Sequence, residues 1–121
     1  MKKKRRFVRV PCNEKVIVHY KDIFIEAKLH NISVNGALVH LNEDMLMQHG
    51  ELCLITIYLN ILDITLHFRA EIIHSHKNQV GVKFHFMDSD TKIYLRSLLA
   101  FRTANPQLIS EEFDYSFYHN D

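Results

Sequence analysis

The chain has 121 residues, a net charge of +1 and 47% hydrophobic residues. This length fits one domain that can bury a core without disulfides, and this composition excludes a disordered chain. No apolar run reaches the roughly 18 residues of a membrane span, and polar residues at 13–15 interrupt any signal-peptide pattern. Cys12 and Cys53 form no metal-spaced pair, which indicates reduced thiols and a cytoplasmic protein.

Charge is distributed unevenly between the two ends. Six of the 15 Lys and Arg residues stand at the start of the chain, at Lys2, Lys3, Lys4, Arg5, Arg6 and Arg9. Residues 107–121 include four acidic residues but no Lys or Arg. We therefore predict a basic arm at 1–13 and an acidic, aromatic extension at 103–121, flanking a domain at 14–102. The opposite charges raise the hypothesis that the acidic segment 111–114 lies over the arm until an anion displaces it.

Short segments rich in β-branched and aromatic residues follow the arm. Strands are predicted near 15–20, 22–32, 37–42, 51–59, 62–76 and 79–87, with turns at Asn35-Gly36, His49-Gly50 and Lys77-Asn78. Between 64 and 72, apolar and polar residues alternate, as in a half-buried strand. Six such strands without long crossovers predict a mainly β fold, a six-stranded antiparallel barrel.

The pattern changes to helical spacing after the last strand. Asp88 is a candidate N-cap, and apolar residues at helical spacing predict a helix over 89–102. Asn105-Pro106 should break that helix, and 107–112 has the composition for one or two more turns. We expect the C-terminal α-helix to cap one open end of the barrel.

Two short motifs carry the functional interpretation. Arg5 and Arg9 form R-x-x-x-R, and Asn31, Ser33 and Gly36 form N-x-S-x-x-G. Each motif alone is common. In this order, followed by the barrel pattern and a closing helix, they resemble the PilZ domain family over residues 4 to about 102. The resemblance implies a PilZ-type β-barrel that binds cyclic di-GMP (c-di-GMP) through these five residues.

The chemistry of the motif residues agrees with that ligand, which carries two phosphates and two guanines. A guanidinium pairs bidentately with phosphate oxygens or with guanine O6 and N7. Asn31 and Ser33 offer short polar groups to a base edge or a phosphate, and Gly36 permits a positive φ or close approach to the backbone. The family more often has Asp at the position of Asn31. Asn keeps the acceptor oxygen and loses the charge.

A parity conflict arises in the second predicted strand. Ile25, Ala27 and Leu29 share parity with Asn31 and Ser33, so a straight strand would aim both polar residues into the core. Either the register shifts at a β-bulge or strong bend near His30, which we expect, or this face forms the floor of the ligand site.

Three further residues are candidates for ligand contact. By the same resemblance, the position of Lys4 influences ligand stoichiometry. Arg6 can contact phosphate, and the imidazole of His74 can stack on guanine. The nine histidines form no recognisable metal-ligand set, and Ser33 lacks a neighbouring base. We therefore expect no metal, no cofactor apart from the ligand, and no catalytic residues.

Three functions compete. The first is a c-di-GMP receptor, in which the ligand orders the arginine arm and changes the surface shown to an unknown downstream protein. The second is a nucleotide-independent PilZ-like adaptor, which loss of the arginines would indicate. The third is a single-stranded nucleic-acid-binding barrel, against which the confinement of positive charge to the arm argues. We expect a monomer or weak dimer with no membrane insertion.

Overall fold

The computed structural model describes residues 7–60 and 63–118, and its strands close into a barrel. The elements are β1 (Val10–Pro11), β2 (Lys15–Tyr20), β3 (Ile23–Ile32), β4 (Gly36–Leu41), β5 (Leu52–Leu59), β6 (Ile64–His76), β7 (Gln79–Met87), α1 (Ser89–Arg102) and α2 (Pro106–Tyr118). The sheet order is β1-β3-β2-β5-β6-β7-β4, and a β3–β4 pairing closes β2 to β7 into a six-stranded antiparallel barrel. The mainly β fold with a C-terminal helix is confirmed.

Apolar residues at every second position of the strands fill the barrel interior. In β6, Leu66, Phe68, Ala70 and Ile72 are all buried, while His67 and Arg69 point outward. Burying this face supplies the main driving force for closure, because apolar area leaves water on folding. The β6–β7 hairpin turns at Lys77, where φ is 56°.

Strand β1 and the bulge in β3 bring the arm to the barrel wall. Val10 and Pro11 pair with Ile32 and Asn31, beyond the point where β2 leaves the edge of β3. The β3–β4 register shifts between Leu29 and Asn31, which confirms the expected bulge. The shift reverses the parity, so that Ile32 is buried and Asn31 lies half-exposed on the outer face.

Helix α1 spans the predicted residues 89–102 and packs against β6. The Asp88 carboxylate accepts a hydrogen bond from Thr91 N at 2.8 Å, and this bond lowers the pKa of Asp88. Leu95 and Leu99 are fully buried. Thr91 Oγ1 accepts from His67 N at 3.1 Å, which ties the start of the helix to β6.

Helix α2 is longer than the one or two turns predicted. Asn105-Pro106 ends the first helix but also starts the second, since Leu108 N donates to Asn105 Oδ1 at 3.2 Å and proline is favoured at the first helical position. Ile109 and Phe113 bury one face of this helix.

Candidate functional site

The predicted site residues Arg9 and Asn31 meet at the end of β1. Arg9 Nη1 donates to Asn31 Oδ1 at 2.8 Å. Pairing of Val10 and Pro11 with β3 places the Arg9 side chain over the bulged segment, where it is exposed. A guanidinium has five N–H donors, so this single bond leaves others for an anion or a base edge.

Ser33 shapes the turn between β3 and β4. Its hydroxyl donates to Asn35 Oδ1 at 2.8 Å and accepts from Asn35 N at 3.3 Å, while Ser33 N donates to Gly36 O at 2.8 Å. The side chain is 0% exposed. Asn31 and Ser33 therefore do not share one outer face, because the chain turns inward after Ile32. A direct bond from Ser33 to a ligand stays a prediction.

Glycine is required at position 36 because the backbone of β7 lies too close for a side chain. A Cβ at this position would lie 2.4 Å from the carbonyl oxygen of Val82 in β7. Of the described glycines, only Gly50 has a positive φ, so the conformational reason suggested for Gly36 does not apply. The close approach here is between two backbones, and Phe84 N donates to Asn35 O at 2.8 Å beside it.

A line of outward-facing residues extends from Asn31 across four strands. Asn31 pairs with Leu38 in β4, Leu38 with Gly81 in β7, and Gly81 with His74 in β6. We call these four residues the shelf. Three strand spacings of about 4.8 Å make it roughly 14 Å long. In its middle Leu38 is half-buried and Gly81 is buried, so this part is apolar, and its two ends carry hydrogen-bonding groups.

Positive and aromatic groups border the shelf. Lys83 occupies the next outward position of β7 and pairs with Gly36. A cleft of about 280 Å³ begins at Lys83 and continues between the arm and α2, where Phe7, Phe86 and Tyr115 contribute rings. The combination suits a ligand with both negative charge and flat rings.

Two stacked histidines lie on the other side of the shelf. The rings of His30 and His40 are 4.7 Å apart at an interplanar angle of 16°. Among the described side chains, only His40 Nε2 is a buried nitrogen or oxygen without a hydrogen-bond partner. This ring nitrogen is thus a polar group that the protein itself does not satisfy.

The remaining predicted residues divide in two groups. His74 is exposed at the far end of the shelf, where it pairs with Gly81, and its contact with a ligand stays a prediction. Lys4, Arg5 and Arg6 lie outside the described residues. The sequence interpretation missed Leu38, Gly81 and Lys83. Gly81 carried a signal, because an isolated glycine in an alternating strand often marks a close approach.

The acidic extension contacts the arm at two described residues. Both carboxylate oxygens of Glu112 accept from Val8 N, at 3.2 and 3.0 Å. The rings of Phe7 and Tyr115 are 6.2 Å apart. The extension thus contacts the arm through the Val8 backbone and the Phe7 ring, while its displacement by a ligand stays a prediction.

Metal ligands, reactive thiols and membrane-spanning helices are the other functional features to consider in the described part of the chain. Over residues 7–60 and 63–118, no cluster of three His, Cys, Asp or Glu side chains is placed to hold a metal ion. Burial raises the pKa of Cys53 to about 12, and burial together with Glu14 raises that of Cys12 to about 11. Neither thiol is an activated nucleophile. Neither described helix is long and apolar enough to cross a membrane.

Comparison with solved structures finds the same fold in several proteins of known structure, including the three that follow. The PilZ domain of CeSA from a cellulose-synthesizing bacterium is 17% identical with a TM-score of 0.63, covering 79% of this chain and 99% of that one. MotI (DgrA), the inhibitor of motility of Bacillus subtilis, is 19% identical with a TM-score of 0.65; the match covers 80% of this chain but only 52% of that one.

The third structure is the PilZ domain of YcgR from Escherichia coli with c-di-GMP. It is 14% identical with a TM-score of 0.67, covering 98% of this chain and 100% of that one. A comparison with curated protein sequences gives no match. The family model of the PilZ domain matches residues 3–101, which include both motifs, the whole barrel and most of α1. The chain therefore belongs to the PilZ domain family.

Proposed function

We propose that the chain is a c-di-GMP receptor that acts by binding and has no catalytic activity. The contact of Arg9 with Asn31 at the end of the shelf is the observation that carries the proposal. It joins the arginine motif to the second motif at one point on the barrel surface. The c-di-GMP in the YcgR structure supports the same ligand class.

The surface around this contact matches the ligand in charge and shape. A guanine lies against Leu38, with its edge toward Asn31 or His74. A phosphate pairs with Arg9 and with Arg5 from the arm, and Lys83 adds a third positive charge. Gly36 and Ser33 hold the β3–β4 turn that keeps Asn31 in place. Lys4 and Arg6 belong to the same arm and contribute further positive charge.

Binding transmits a signal through the arm. The ligand's phosphates draw Arg5 and Arg9 together, which orders the arm on the barrel and alters the surface that a downstream protein reads. We expect the receptor to act in the cytoplasm as a monomer or weak dimer, consistent with Cys12 and Cys53 being free thiols.

Calorimetric titration of the full chain with c-di-GMP tests the proposal. GTP and linear pGpG are the controls, because they share guanine and phosphate but not the cyclic arrangement. We expect selective binding with a Kd in the micromolar range or below. A folded protein that binds none of the three would reject the receptor and favour the adaptor, to be tested by a search for protein partners. Equal binding of single-stranded oligonucleotides would favour a nucleic-acid barrel.

A further inference from the structure

Glu112 is a buried acidic residue beyond the part of the chain that matches the family model, which ends at residue 101. Its side chain is 1% exposed, and both carboxylate oxygens accept a hydrogen bond from Val8 N. Burying a carboxylate is costly unless the charge is hydrogen-bonded, so a specific contact of this kind constrains both partners.

The residue that Glu112 holds lies inside the arginine motif. Val8 stands directly before Arg9 and between the two motif arginines. Fixing its backbone N–H limits where Arg9 can point. The neighbouring Phe7 packs near Tyr115 of the same helix, at 6.2 Å between ring centroids. Two consecutive arm residues thus rest on α2.

Helix α2 is itself anchored firmly to the rest of the molecule. Ile109 and Phe113 are buried in the core. Lys92 of α1 lies over the ring of Phe117 at 4.5 Å, and Arg96 Nη2 donates to Ser110 Oγ at 2.9 Å. The carboxylate of Glu112 is therefore held in place by a helix that packs on the core and on α1.

We propose that Glu112 is a positioning residue for the arginine arm, which holds Val8 so that Arg9 reaches Asn31 and the bound ligand. This role rests on the proposed c-di-GMP receptor function. An arm already seated on α2 loses less conformational entropy when the ligand binds, and affinity increases accordingly. In this role Glu112 acts through the backbone N–H of Val8 and does not itself bind the ligand.

The test compares Glu112→Ala, Glu112→Gln and Glu111→Ala with the wild-type chain. Glu111 is the matched control, because it is exposed on the same helix. We expect Glu112→Ala to weaken c-di-GMP binding about three- to tenfold, the net scale of one ordinary hydrogen bond, because the effect on the ligand is indirect. Glu112→Gln keeps an acceptor oxygen and should bind closer to wild type, and Glu111→Ala should bind as wild type does.

Hydrogen exchange at the Val8 amide gives a readout that needs no ligand. Protection of this amide in the wild type should fall in Glu112→Ala and be largely restored in Glu112→Gln, while the amides of β5 remain protected in all variants. Unchanged or tighter binding by folded Glu112→Ala, or equal Val8 exchange in all four proteins, would overturn the positioning role. A wild-type chain that binds no c-di-GMP would instead reject the receptor function on which it rests.

Discussion

In the proposed receptor, Arg9 and Asn31 form a side-chain pair that prepares the binding site. The amide oxygen of Asn31 orients the guanidinium at 2.8 Å but adds no opposing charge. An Asp in the same place would form an ion pair that the ligand's phosphate would have to weaken. Asn31 therefore leaves the positive charge of Arg9 available to the ligand.

Replacing Arg9 tests the importance of this charge. Arg9→Ala should weaken c-di-GMP binding ten- to hundredfold, about 1–3 kcal/mol, which is the scale of a bidentate arginine contact. Calorimetry measures the change. Lys28→Ala is the control, because Lys28 is an exposed cation on β3 outside the shelf. If both variants bind like the wild type, the ligand binds elsewhere.

Replacing Gly36 tests the close approach of β4 and β7. A Cβ at Gly36 would lie 2.4 Å from Val82 O, so Gly36→Ala must move one strand and should lower the free energy of unfolding by about 1–3 kcal/mol. Gly81→Ala is the comparison, since its nearest contact would be His74 Cβ at 3.3 Å and its effect on stability should be smaller. Urea denaturation gives both values. Equal stability of the two variants would show that β4 adjusts freely.

The hydrophobic periodicity of the sequence predicted most of the strands and helices. All six barrel strands and α1 were found because each has an apolar face with a regular period. The bulge at His30 was predictable because apolar Leu29 and polar Asn31 would otherwise face the same side of the strand. Strand β1 was missed, since two residues are too short to show a period. The length of α2 was missed because Asn105-Pro106 was interpreted only as a helix stop.

The shelf was the least predictable part of the site. Its residues come from four strands, and only the closed barrel aligns Leu38 and Gly81 between Asn31 and His74. Nothing in the sequence fixes which outward residues of non-adjacent segments become neighbours. The motif residues could be named from the sequence, whereas the inward orientation of Ser33 depends on the turn that its own hydroxyl builds.

A salt bridge joins Arg102, the last residue of α1, to Glu14, which follows the arm. Arg102 donates to both carboxylate oxygens of Glu14, from Nη1 at 3.2 Å and from Nη2 at 2.5 Å. Chiefly through these hydrogen bonds, Arg102 lowers the pKa of Glu14 from its ordinary value of 4.5. A carboxyl group with a lowered folded-state pKa stabilises the fold above the unfolded-state value. That contribution is lost as pH falls through the lower folded-state pKa.

Acid denaturation of a Glu14→Gln variant tests this link. Below pH 4.5 the wild type should lose stability more steeply than Glu14→Gln, and above that pH the wild type should be the more stable of the two. Tryptophan is absent from the chain, so circular dichroism is the suitable probe. Parallel stability curves from pH 3 to 7 would show that the salt bridge contributes nothing.

At the scale of the whole molecule, the site joins three parts of the chain that are distant in sequence. The arm, the barrel wall and α2 meet within the contacts of Arg9, Val8 and Phe7. A ligand that binds there binds the folded state and not the unfolded chain, because unfolding separates the three parts. Binding and global stability are therefore linked, and the linkage can be measured without knowing the downstream partner.

The linkage predicts how c-di-GMP changes thermal unfolding. At a ligand concentration one hundred times the Kd, the wild type should gain about 2.7 kcal/mol, and its Tm should rise by roughly 10 °C for a domain of this size. If Arg9→Ala weakens binding tenfold, the same concentration should stabilise that variant by only about 1.4 kcal/mol. Scanning calorimetry with pGpG as the control measures both. An equal rise in Tm for the two proteins would mean that the ligand stabilises the barrel without engaging the arm.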